Sequence, residues 1–207
     1  MDEFLLPIPE LIKGMAGSPV PTSEEVSAWM LENERKIYLD FDVGGDLVGL
    51  QQLILRWNME DRGKPVAERR PIWIYIMSYG GDMDYMWMFI DAILCSVTPV
   101  YTVNLGISGS AAAIIFISGH KRFMMPLSKL VIHEGSAQLS GDAVKVMDQS
   151  EAYKKQLKQM KEFIITRTRI PRTQLMKKRN NDWELDSAYC LENGVCDVVV
   201  ENIEEVI

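Results

Sequence analysis

Histidine is scarce in this sequence: only His120 and His133 occur among 207 residues. A chain that needs an imidazole base near neutral pH therefore has two candidates and no more. Cysteine is sparse as well. Cys95, Cys190 and Cys196 make an odd count without metal-like spacing, and each lies in an apolar stretch. They read as small core residues in a reducing compartment, not as disulfides, metal ligands or nucleophiles. No run reaches the roughly 18 uninterrupted apolar residues a membrane helix needs. Positive charge is in deficit, with 22 Lys and Arg against 29 Asp and Glu and a net charge of -7. That balance speaks against a general nucleic-acid binder, which wants a basic face. The opening residues are acidic and interrupted by Pro7 and Pro9, unlike a secretory signal. The expectation is a soluble cytoplasmic protein with no cofactor and no metal.

What is present is ordinary globular material, 47% apolar and 25% charged, enough to bury one core. Residues 1–34 read as an aperiodic arm followed by a short helix, which Thr22-Ser23-Glu24-Glu25 opens with a polar cap and then acids. Residues 35–207 read as a single domain. Residues 36–41 form a first strand in this reading, and Leu47, Leu50, Leu53, Ile54 and Trp57 mark a helix. Residues 62–70 are a charged surface loop. The near-continuous apolar run 72–77 is the pattern of a strand buried on both faces. A Gly80-Gly81 turn and a helix over 83–94 follow. Residues 100–105 form a strand, 106–110 turn, and 111–119 form an Ala-rich helix. Short strands at 123–125 and 130–133 precede a long amphipathic helix over about 142–168. A helix at 171–178, another at 185–193 and a strand at 198–200 close the chain. Such alternation predicts parallel strands with right-handed crossovers, an α/β fold.

His133 ends an apolar strand, where a side chain projects from a rigid element. His120 lies in the polar turn Gly119-His120-Lys121-Arg122 and reads as solvated. Ser110 sits at a strand–turn–helix junction among small residues. There the first free amides of a helix suit an oxyanion. The plainer alternative is a capping serine on a packing helix, and Ser108 competes with it. Gly80 and Gly81 serve either as a tight turn or as donors of a backbone amide that partners the amide of Ala111.

Together these segments resemble one family. The series Ile74-Tyr75-Ile76-Met77-Ser78-Tyr79-Gly80-Gly81, then residues 106–110, residues 119–123, Pro126 and Val131-Ile132-His133 is similar to the proteolytic subunit of the Clp protease. The resemblance covers about residues 35–200. It implies a Clp/crotonase-type βαβ superhelix with a protruding handle helix at about 142–168. It also implies a serine peptidase whose triad is Ser110, His133 and Asp182, with Gly81, Ala111 and Gly80 at the oxyanion hole. Asp182 follows from the register of Asp182-Trp183-Glu184-Leu185-Asp186-Ser187-Ala188 with the family's aspartate segment. Further implications are a homo-oligomeric heptameric ring, possibly stacked as a tetradecamer, an AAA+ unfoldase ATPase partner, and unfolded protein or peptide substrates. Trp73, Tyr75 and Phe123 match positions lining the unfoldase docking pocket, and as strand residues they equally suit a core.

Several residues depart from the family pattern. Tyr79 stands for a proline, Gly109 for an alanine, Ala111 for a methionine, and Glu134-Gly135 for Gln-Pro after the histidine. Asn180-Asn181 stand where the family has a charged pair that couples two rings. Four alternatives follow: a capsid-maturation relative, a silent structural subunit, a crotonase-type acyl-CoA enzyme, and a Ser–Lys peptidase using Lys121.

Overall fold

The computed structural model describes residues 22–135, 138–177 and 182–207. Two compact units divide the chain, one ending at Glu34 and one spanning Arg35–Ile207. In the first, helix α1 is Ser23–Asn33, and Thr22 closes a capping box with Glu25. Thr22 Oγ1 accepts the Glu25 N–H at 3.2 Å while Glu25 accepts the Thr22 N–H at 2.7 Å. The polar cap and early acids thus open a helix as the sequence suggests.

The second unit begins with strand β1 (Lys36–Leu39) and helix α2 (Leu47–Glu60). Strand β2 (Ile72–Ser78), helix α3 (Met83–Leu94), strand β3 (Val100–Gly109) and helix α4 (Ala111–Ser118) follow. Then come β4 (Lys121–Met124), β5 (Lys129–Ile132), α5 (Ala143–Arg167), α6 (Arg172–Lys177), β6 (Trp183–Asp186), α7 (Ser187–Glu192) and β7 (Val198–Val199). The strands form one sheet in the order β1-β2-β3-β4-β7, and β5 branches from β3 to carry β6. All pairs are parallel except β5 with β6. That antiparallel pair departs from the all-parallel expectation. Residues 183–186 alternate buried and exposed, which is strand behaviour, and the helix begins only at Ser187.

The alternation of β2 shows why its run is apolar throughout. Ile72, Ile74 and Ile76 face the helices in the main core, while Trp73 and Tyr75 face a second cluster with Val103, Phe123, Val200 and Val206. Tyr75 and Phe123 are buried there, and Trp73 is half-buried. The Tyr75 hydroxyl donates to the Val206 carbonyl, so the final residues strap this aromatic face. Helix α4 is buried on every side; its three leading alanines let it approach the sheet closely. Cys190 and Cys196 are in the core as expected. Cys95 is not: it caps the end of α3, where the chain turns outward, and it is exposed.

Helix α5 divides along its length. Met160 and Ile164 are buried and Leu157 and Phe163 pack against the core, whereas Val144 and Met147 are exposed. One apolar stripe in the sequence therefore serves two ends with different surroundings. Among the described residues, no helix is long and apolar enough to cross a membrane. Residues 1–21 and the Asn180-Asn181 pair lie outside the described residues.

Candidate active site

Strand β3 runs straight into α4, and Ser110 makes the junction. Its backbone has φ 52° and ψ -122°, a left-handed conformation that is costly for a residue with a Cβ. Its neighbours hold it there. The Ser110 N–H donates to the Val131 carbonyl at 2.8 Å, and its own carbonyl accepts from Ala113 at 3.0 Å. The side chain makes no capping bond, so the hydroxyl is not spent on the helix as the plainer reading required. Ser108 is wholly buried, which removes it as a competitor.

Gly80 and Gly81 both have positive φ, 108° and 149°. Gly80 lies against the serine turn so closely that a Cβ there would come within 2.6 Å of the Ser110 Cβ and 2.9 Å of the Ala111 nitrogen. Only glycine fits that approach. Gly81 bridges to Val43, and the bridge uses the Val43 and Asp82 amides with the Gly80 and Val43 carbonyls. The Gly81 N–H is not consumed by it. Two departures from the family pattern meet here as well. A Cβ on Gly109 would stand 2.9 Å from the Tyr79 carbonyl oxygen, so the glycine gives room to the backbone of Tyr79.

Ser110, His133, Gly81 and Ala111 line one cleft of about 280 Å³, together with Tyr79, Met83, Met86, Tyr153 and Met160. His133 follows the last residue of β5 and is half-buried. Its Nδ1 accepts the Gly135 N–H at 3.0 Å. Asp182 precedes the first residue of β6 and is exposed. The β5–β6 register pairs Ile132 with Trp183, so the next opposed positions are His133 and Asp182. The sheet thus brings these two backbones side by side although residues 134–181 lie between them in the chain.

The Glu134 carboxylate has a basic partner on α5. Lys161 Nζ lies 2.6 Å from Glu134 Oε1. The Tyr153 hydroxyl donates to the Glu134 carbonyl at 2.8 Å. Burial, and then the Glu134 charge, push the Tyr153 phenol above its ordinary value, so it stays a neutral donor. Sequence reasoning did not find Tyr153 as a cleft residue or Lys161 as the partner of Glu134; both lie on α5, where lysines and polar residues read as a solvated side. His120 is exposed, as its turn suggests, yet its Nδ1 accepts the Val100 N–H at 3.0 Å. Partial desolvation of the ring against the protein, and then the Arg167 charge, lower its pKa even so.

A mostly parallel sheet with a strained serine at a strand–helix junction and a histidine in the same cleft defines an α/β protein with a candidate nucleophile site. Comparison with known proteins narrows this further. The Clp protease family model matches residues 50–203. The ATP-dependent Clp protease proteolytic subunit 2 of Treponema denticola is 29% identical over 178 residues, 84% of this chain and 86% of that protein. The subunit 2 of Corynebacterium diphtheriae is 27% identical over 177 residues, again 84% and 86%. The ATP-dependent Clp protease proteolytic subunit of Mesostigma viride is 26% identical over 204 residues, 96% of this chain and 85% of that protein. The chain belongs to the Clp protease family.

Proposed function

We propose that this family member is a serine-type endopeptidase in which Ser110 is the nucleophile, His133 the general base and Asp182 the residue that orients the imidazolium. The observation that carries the reading is Ser110 itself: an uncapped hydroxyl on a strained junction, in one cleft with His133, with Asp182 in register beside that histidine. In the working arrangement His133 takes the Ser110 proton as Oγ attacks the peptide carbonyl. The protonated ring then delivers that proton to the leaving amine, and water releases the acyl-enzyme. The amides of Gly81 and Ala111 receive the oxyanion, and Gly80 keeps the two turns close. One such donor is worth about 3 kcal/mol in the transition state. The positive end of α4 adds to the same charge.

The relatives are named as proteolytic subunits of ATP-dependent proteases. By analogy this chain works as a ring oligomer that an AAA+ unfoldase feeds with unfolded chains, a heptamer or two stacked heptamers. The exposed apolar residues Val144 and Met147 on the projecting half of α5 supply a surface for such assembly. The test is the intact mass of the protein after exposure to a fluorophosphonate. A single adduct that vanishes in Ser110→Ala is the expected result; an adduct that persists in Ser110→Ala would refute the assignment.

A further inference from the structure

The ring nitrogen of His133 that an orienting carboxylate needs is already engaged. Nδ1 accepts the Gly135 N–H at 3.0 Å. A nitrogen accepting through its lone pair carries no proton, so the neutral ring bears its proton on Nε2. A serine base requires the opposite tautomer, with Nδ1–H donating to the aspartate and the Nε2 lone pair facing the hydroxyl. Gly135 makes the competing bond possible in two ways. It adopts φ 77°, which folds its amide back toward the ring. It also has an N–H to give, whereas the family pattern places proline there, which has none. The turn is held from α5: Tyr153 bonds the Glu134 carbonyl, Lys161 pairs with the Glu134 carboxylate, and a Cβ on Gly135 would sit 3.3 Å from the Tyr153 hydroxyl.

We propose that Gly135 is a positioning residue that holds His133 in the tautomer unable to serve Ser110, a latch fastened by Tyr153 and Lys161. Movement of the 134–135 turn on α5 withdraws the amide, and Nδ1 becomes free to donate to Asp182. This inference rests on the triad reading above, and the experiment separates the two. With only two histidines, ¹⁵N-histidine correlation spectra recorded above the imidazole titration range report each ring's tautomer. His120 is the internal reference, since its Nδ1 also accepts a backbone amide. The native protein should show His133 protonated on Nε2; protonation on Nδ1 would overturn the latch outright. Gly135→Pro should move His133 to the Nδ1–H form, leave His120 unchanged, and speed fluorophosphonate labelling of Ser110 about tenfold. That gain corresponds to a competent form populated at about one tenth or less in the native protein. Tyr153→Phe, which keeps Gly135 and loosens the turn, should shift both readouts in the same direction by less. If neither variant changes the His133 tautomer, the latch is wrong. If the tautomer changes and labelling does not, Gly135 sets the ring and it is the pairing of His133 with Ser110 that fails.

Discussion

Asp61 is 1% exposed and accepts bonds from four directions: two from the Arg35 guanidinium, one from Lys64 Nζ at 2.9 Å and one from Thr98 Oγ1 at 3.0 Å. The Arg35 bonds come first in holding its carboxyl far below the ordinary range. Breaking a buried pair from one side leaves the other charge uncompensated, so Asp61→Asn should cost about 3–5 kcal/mol of stability. The pH dependence follows from linkage. The folded pKa is depressed, so the stabilisation is fully present above the unfolded value of about 3.9 and is lost as pH falls below it. Denaturant titrations at neutral pH and near pH 3 should show a large wild-type advantage that shrinks on acidification; a gap that stays constant would mean the carboxylate charge is not its source. The strand–helix junction at Ser110 and the strand end at His133 were legible in the sequence, the first from small residues beside an apolar run and the second because histidine is rare. The His133–Gly135 bond was not, because it depends on a positive φ that glycine permits and does not dictate. Cys95 was misread because the apolar run leaves the core as the helix ends: Ile93 is buried, whereas Leu94 and Cys95 are exposed.

At the scale of elements, Arg167 joins the two helices that matter most. From the end of α5 its Nη2 donates to the carbonyls of Ser118 at 2.9 Å and Gly119 at 2.7 Å, and its Nε donates to Ile117 at 3.3 Å. These are orphan carbonyls at the C-terminal end of α4, the helix that begins at Ser110. Arg167→Met keeps most of the stem's bulk and removes the donors. It should lower stability by about 1–3 kcal/mol, read as a fall in melting temperature; an unchanged melting temperature would show that water serves those carbonyls equally well. The long helices and the buried strands were readable from apolar spacing. Strand β6 was missed because four residues give too short a period to separate from the helix after them, and its strand character comes from pairing with β5.

Among the described residues, the aromatic face of the sheet and the first half of α5 have different fates. The aromatic side of the sheet is partly covered by its own chain, with Val206 buried and bonded to Tyr75, while Tyr38 stacks on Tyr75 from an exposed position. The projecting half of α5 is uncovered, with Val144 and Met147 each 69% exposed. Paired apolar residues left open on a helix are a surface that association would bury. Sedimentation should therefore show a species several times the 23.6 kDa of one chain. Val144→Asp with Met147→Glu should shift that species toward the monomer while the circular dichroism stays the same. A wild-type monomer would remove the assembly reading.

Strand β3 divides the sheet into two limbs. Its residues 101–104 pair with β4, and its residues 107–109 pair with β5. At the fork the wholly buried Asn104 donates to the Lys129 carbonyl at 3.0 Å and accepts the Gly106 N–H at 3.2 Å, pinning the place where the limbs part. His133 and Asp182 both extend from the β5–β6 limb, whereas Ser110 stands at the tip of the trunk. The histidine and the aspartate are thus passengers on one lever. The Ser110 amide is itself bonded to the Val131 carbonyl, two residues before His133, so the trunk and that limb share one footing at the serine.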